Sequence, residues 1–331
     1  MNSSSSFVMQ IANLFIEICG FDDEESVCLE ELKRVFRYHE VQGTKEFHHR
    51  IIVCKPDKYN LPSKAAPQWI APCLGVAGRI PSRRSFLARV FDRIFARHGV
   101  RPLFAGTCNV HCYRDANRHT DYFIPEYGEW RVEHHAEEHI TYVYSDKPHL
   151  QSDGLPSMLL NVIGSQYGCY LVFAACVATD EGALLLTGNS GVGKSTLCMK
   201  YVRQGAAYMG DDLVLLYLDG ERAMAGSLLF PLKHYAAGDH LHKQQMDPLT
   251  LSPHRPPLTA PLKAVYLLQR GEGAVDSAPQ RMLGGEMLGI LLKRTNRANT
   301  NADAFRFVST LSVICETVPC YQLILGNHDE G

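Results

Sequence analysis

The spacing of apolar positions changes several times along the chain, and each change predicts an element. The run FVMQIANLFIEIC at 7–19 is apolar with isolated polar positions, and it predicts a helix packed on a core. Residues 28–39 predict a second helix, with the acidic turn Asp22–Ser26 placed to cap it. FHHRIIVC at 47–54 has strand character. Five prolines fall between Lys55 and Pro81, which predicts an irregular connection, and helical spacing returns at 85–98. The stretch 121–146 predicts strands joined by a turn at Glu126–Glu129.

The pattern then becomes more apolar. Residues 155–178 predict a helix leading into a strand, followed by a strand at 183–188, a helix at 195–204 and a strand at 213–218 that ends at the turn Asp219–Gly220. After 227–233 comes a polar, proline- and histidine-bearing loop (238–261). A strand at 262–270, helices at 283–294 and 303–317, and a closing apolar stretch at 320–326 follow. No internal repeat interrupts this order. The change in pattern near 150–155 divides the chain into an accessory α+β region (1–154) and an α/β domain (155–331).

Composition narrows the partners. With 33 Lys+Arg against 35 Asp+Glu, the formal charge of −2 gives no general attraction to nucleic acid or an anionic membrane, so neither is an expected partner. The basic stretch SRRSFLARVFDRIFAR at 82–97 reads as an amphipathic helix with a solvated face. The 11 cysteines are odd in number and scattered, several of them in apolar runs, which fits reduced thiols in a cytoplasmic protein. The N-terminal run carries no basic segment ahead of it and contains Glu17, unlike a signal peptide. No stretch approaches the apolar length of a membrane span.

The sharpest signal is GNSGVGKS, from Gly188 through Asn189, Ser190, Gly191, Val192, Gly193 and Lys194 to Ser195, with Thr196 following. It fills every required position of the phosphate-binding pattern, with a strand predicted before it and a helix after it. Glycines let the loop turn its backbone N–H groups toward phosphate oxygens. Lys194 is placed for the β- and γ-phosphates, and the Ser195 hydroxyl for Mg²⁺. The pattern therefore predicts a nucleotide and Mg²⁺ as cofactors, with ATP the expected donor and GTP or pyrophosphate left open, without naming a reaction.

Asp211 and Asp212 follow Lys194 by only 17 and 18 residues, so one helix and one turn separate them from the loop. Two carboxylates returned beside a magnesium–nucleotide can divide the work, one holding the metal and the other taking a proton from an attacking hydroxyl. A competing reading makes Gly-Asp-Asp an ordinary turn, and another takes Asp219 as the metal partner.

On these residues the C-terminal half, roughly 155–326, resembles the HPr kinase/phosphorylase superfamily and its HPr-kinase-related members. LLLTGNSGVGKSTL at 184–197, Gly205 and GDDLVLL at 210–216 carry the resemblance, with FPLK at 230–233, LKAVYLL at 262–268 and VPCYQLILG at 318–326 as weaker support. The resemblance implies a P-loop fold that transfers a phosphoryl group to a hydroxyl. Lys194, Ser195, Asp211 and Asp212 are its working residues, and the roles of the two aspartates stay interchangeable. It also implies a homo-oligomer, and an acceptor that is a peptide serine or a small molecule. Members carry a histidine about fifteen residues ahead of the loop's first glycine. Here Phe173 stands near that place, the loop ends in Ser-Thr, and the later glycine-rich signature is missing. These departures point away from a bacterial phosphocarrier as acceptor. They leave a silent nucleotide-binding regulator and a P-loop ATPase as alternatives to the kinase.

Three weaker constellations complete the reading. Cys108, His111, Cys112, His134, His135 and His139 loosely suit zinc, against a reading of solvated histidines and buried thiols. Lys233, His234, Lys243 and Arg255 lie in or beside the long polar loop and suit either phosphate contacts or a mobile surface. Arg270 and Arg281 are candidate charge stabilisers.

Overall fold

The computed structural model describes residues 6–21, 26–42, 46–55, 100–103, 110–115, 119–125, 130–145, 154–235, 243–251, 256–271, 276–295 and 301–326. These form two compact units. The first takes in Met1–Gln10, Leu14–Gln166 and Arg297–Asn301, and the second Ile11–Asn13, Tyr167–Asn296 and Ala302–Gly331. The expected connection at 56–81, the helix at 85–98 and the turn at 126–129 lie outside the described residues.

The first unit is built on an eight-stranded sheet. Its strands are β1 (Phe7–Ile11), β2 (Leu14–Gly20), β3 (His49–Cys54), β4 (Val100–Leu103), β5 (Val110–Asp115), β6 (Thr120–Pro125), β7 (Arg131–His135) and β8 (Ile140–Tyr144). They lie in the order β1-β2-β3-β8-β7-β6-β5-β4, with β3 parallel to both β2 and β8 and the run from β8 to β4 an antiparallel meander. Residues 7–19, expected as a helix, are two strands. Phe7, Met9 and Ile11, then Leu14, Ile16 and Ile18, are buried in strict alternation, and Ala12 turns the chain at φ 54°. That period of two belongs to a pleated strand with one buried face. Helix α1 (Val27–Phe36) forms as expected, its first turn capped by the Ser26 hydroxyl accepting from the Leu29 amide at 3.0 Å. Helix α2 (Leu155–Gln166) closes this unit.

His134 lies on β7 and His139 in the turn after it, so no helix aligns them. Nδ1 of buried His134 and Nε2 of buried His49 both meet the Thr141 hydroxyl, at 2.9 and 2.8 Å. Burial pushes the His49 imidazole down to about 3. Among the described residues no group of three His, Cys, Asp or Glu side chains is placed to hold a metal. Cys108 lies outside the described residues.

The second unit is mixed α/β. Its strands are β9 (Tyr170–Val172), β10 (Ala175–Thr179), β11 (Gly182–Gly188), β12 (Ala207–Gly210), β13 (Val214–Asp219), β14 (Arg222–Gly226), β15 (Leu232–Tyr235), β16 (Lys243–Met246), β17 (Thr259–Arg270), β18 (Gln280–Arg281) and β19 (Cys320–Leu325). Its helices are α3 (Lys194–Arg203), α4 (Gly284–Arg294) and α5 (Asn301–Thr317). The main sheet runs β12-β10-β11-β17-β14-β13-β9, with β19 on β17 and β18 on β19. Twelve-residue β17 serves both parts: its first residues pair antiparallel with β14, and its later ones lie parallel to β11 and β19. The polar stretch at 238–261, expected as one loop, instead holds β16, a helical turn at Pro248–Leu251 and the start of β17. β15 and β16 form a separate two-stranded hairpin. No described helix is long and apolar enough to cross a membrane.

Strand direction gathers the chemistry. β11 and β12 both run antiparallel to β10, and β17 and β19 run parallel to β11. The C-terminal ends of β11, β12, β17 and β19 therefore leave the sheet at one edge. Open α/β sheets place ligands at such an edge. The residues delivered there are Gly188, Asp211, Arg270 and Gly326.

Candidate functional site

At that edge β11 passes through the loop 188–193 into α3. Gly188 has φ 154°, and a Cβ there would stand 2.7 Å from the Leu268 carbonyl oxygen of neighbouring β17. Gly193 opens α3 at φ 108°, where a Cβ would meet Leu325 at 3.1 Å. Both positions demand glycine for conformation and for space. Buried Val192 anchors the loop from beneath, while Asn189, Ser190, Gly191 and Thr196 are exposed. Replacing Gly188 with alanine is expected to cost about 2–4 kcal/mol of stability, from backbone strain together with overpacking. Gly191→Ala, also at positive φ but with open space around it, should cost only about 1–2 kcal/mol. Chemical denaturation of the two variants checks this, and equal losses would contradict the packing of Gly188 on Leu268.

Lys194 and Ser195 begin the helix. The Lys194 ammonium donates to the carbonyls of Gly188 at 3.3 Å and Asn189 at 3.1 Å, so it lies folded over the loop. The Ser195 hydroxyl sits 3.0 and 2.8 Å from the two carboxylate oxygens of Asp211. Asp211 is buried, just past the end of β12 and beside the apolar side chains of the sheet. Burial raises its pKa above the usual carboxylate value, against the opposing effects of the Ser195 hydrogen bond and the Lys194 charge. The buried Tyr208 hydroxyl and Cys198 thiol lie in its field and are themselves pushed well up, chiefly by burial. Asp212 is exposed and held at φ 70°, a conformation that aspartate tolerates in turns.

The other expected residues divide. Asp219 ends β13 opposite Arg222, in the hairpin turn away from Asp212, so it takes no part here. Arg281 lies over the Tyr321 ring near the start of β19, roughly 13 Å of strand from Leu325 at the loop. Arg270, in contrast, ends β17 at the loop. It donates to the Gly326 carbonyl at 3.3 Å, and its Nη2 lies 3.7 Å from where a Gly193 Cβ would be. Phe173 also reaches the site. Its carbonyl accepts from the Thr187 hydroxyl at 3.5 Å, one residue before Gly188, and the residue is 38% exposed. The position where the resemblance implied histidine is therefore beside the loop.

Arg294 escaped the sequence reading. It is the last residue of α4, and its guanidinium donates to the Asn189 side-chain oxygen. The two residues are 105 apart in sequence. Only the pairing of β17 with β11 and the return of α4 bring them together, and no local pattern announces that.

No family model and no curated protein matches the chain. Among solved structures it is similar to the HPr(Ser) kinase/phosphatase from Coxiella burnetii, with 12% identity over 47% of this chain and 85% of that one and a TM-score of 0.30. A likeness of that size carries no argument about activity. The mixed α/β architecture rests on the strands and helices themselves.

Proposed function

We propose that the second unit is an ATP- and Mg²⁺-dependent kinase, acting in the cytoplasm, that transfers the γ-phosphoryl group to a hydroxyl of a peptide or small molecule. The observation that carries this reading is the contact of the Ser195 hydroxyl with both oxygens of Asp211 at the start of the loop helix. A complete phosphate-loop sequence alone says nucleotide. A buried carboxylate held against the loop's own hydroxyl adds a hard-oxygen pair of the kind Mg²⁺ takes when phosphates and water supply its remaining ligands.

The donor set fits the ion in charge as well as in chemistry. Asp211 is a buried carboxylate whose ionised form is disfavoured by desolvation, so a nearby cation relieves that cost. Ser195 and Asp211 are thus the residues that would hold Mg²⁺, and the ion would supply neutralisation of phosphate charge. Lys194 and the loop amides orient the donor. Exposed Asp212 is left to accept the proton of the incoming hydroxyl, the division of labour that the different burial of the two carboxylates favours. A second reading, a nucleotide-binding regulator without transfer, is favoured by Phe173, which puts no titratable side chain beside the loop at that position.

The test follows γ-labelled ATP with Mg²⁺ and the full chain. The label is traced into free phosphate, into the protein and into a pool of hydroxyl-bearing peptides and metabolites. Transfer to an acceptor supports the kinase and identifies the acceptor class. Release as free phosphate without any acceptor makes the protein an ATPase, and tight binding with no movement of label makes it a regulator.

A further inference from the structure

The loop is approached by two cations that converge on one residue. Lys194 donates to the Asn189 backbone carbonyl at 3.1 Å, and Arg294 donates to the Asn189 side-chain oxygen. The Lys194 ammonium also lies in the field of the Asp211 carboxylate, while the Asn189 oxygen that receives the Arg294 guanidinium carries no full charge.

The base of the arginine is fixed. The Arg294 carbonyl accepts from the Phe173 amide at 2.8 Å, and the next residue, Thr295, bridges Val172. Thr295 also returns its hydroxyl to the Leu291 carbonyl at 2.7 Å, which ties the last turn of α4 to the buried Leu291. Phe173 is in turn bonded to Thr187, immediately before the loop. The side chain thus springs from backbone held beside Gly188. A guanidinium has five donors in a rigid fork that matches phosphate oxygens, and the single Asn189 oxygen is a poor use of that fork.

Resting on the nucleotide reading above, we infer that Arg294 is a catalytic residue that leaves Asn189 to contact the terminal phosphate of the bound nucleoside triphosphate. It takes the charge that develops on the transferring group from the side opposite Arg270. Arg270 approaches the Gly193 end of the loop and Arg294 the Asn189 end, so the two arginines bracket the phosphate chain. Electrostatic stabilisation of a transferring phosphoryl group is the task that such a charge performs.

The experiment measures binding of Mg²⁺ with a non-hydrolysable ATP analogue, and of Mg²⁺ with ADP, to the full chain by calorimetry. Wild type, Arg294→Ala, Arg294→Lys and Asn189→Ala are compared, with thermal melting of each. Arg294→Ala is expected to weaken the triphosphate by about 10- to 100-fold, the worth of a charged hydrogen bond, while ADP stays within about twofold. Arg294→Lys should recover part of the loss, and Asn189→Ala should leave the triphosphate-to-diphosphate ratio unchanged. Equal weakening of both nucleotides with a lowered melting temperature would make Arg294 a structural brace and overturn the inference, as would no change in either. Wild type binding neither nucleotide would overturn the nucleotide reading itself, an outcome distinct from an unaltered ratio.

Discussion

Asp211→Asn is expected to lower phosphoryl transfer by about 10²–10³-fold, the range seen when a single pre-placed polar group is taken from a transition state. The asparagine keeps the volume and one carbonyl oxygen for the Ser195 hydroxyl, so the fold should survive. What disappears is the negative charge that, with Ser195, would hold Mg²⁺ on the proposed kinase reading. Stability should move the other way. Burial raises the Asp211 pKa in the folded chain, so the folded state binds this proton more tightly than the unfolded one. Ionisation therefore costs stability: the penalty is absent below the usual carboxylate pKa, grows as pH rises from there toward the raised one, and is complete above it. The asparagine variant should melt above wild type at pH 7, with the gap closing as pH falls toward the unperturbed value near 3.8. Melting curves across that window, beside the labelled-ATP assay, test both halves. A variant that transfers normally, or melts below wild type at neutral pH, would return Asp211 to a structural role.

Lys194→Ala should weaken Mg²⁺–ATP binding by about 10- to 100-fold, because on the proposed reading the ammonium would donate charged hydrogen bonds to phosphate oxygens. In the structure the ammonium donates to the carbonyls of Gly188 and Asn189, and its removal should leave the melting temperature within about 2 °C of wild type. Calorimetry with the non-hydrolysable analogue reads the affinity directly. Full affinity in the alanine variant would mean that the loop does not hold phosphates in the way its sequence implies. Paired with Arg294→Ala, the variant also asks whether the two cations that meet at Asn189 act on one anion, since contacts to a shared group should be non-additive.

The site was legible in the sequence to the extent that it is local. Lys194, Ser195 and Asp211 lie within 18 residues, and the strand–loop–helix–strand order that joins them is stated by spacing alone. Arg270 on β17 could be named only beside Arg281, with nothing local to separate the two, and Arg294 on α4 could not be named at all, because strand pairing rather than a motif delivers them. Arg294 is the extreme case. The misread helix at 7–19 has a different cause: FVMQIANLFIEIC is so apolar that positions spaced by two and by three or four are filled alike, and only the turn at Ala12 decides for strands. In 238–261 polarity concealed a hairpin strand, since β16 pairs only with β15 and has no need of an apolar stripe.

The antiparallel pairing of β10 with both β11 and β12 bears on synthesis. By the time residue 212 has left the ribosome, the chain holds everything needed for the small sheet β12-β10-β11, with α3 and the Ser195–Asp211 pair on it. The other neighbour of β11 arrives with Leu268, 80 residues after Gly188 in the register of β17. At bacterial to eukaryotic elongation rates that delay is roughly 4–16 s. During it the leucine-rich strand Gly182–Gly188 presents an unpaired edge, the kind of surface on which nascent chains stick to one another. Coexpression with a chaperone that shields such edges should therefore raise the soluble yield of this protein more than a slower induction does.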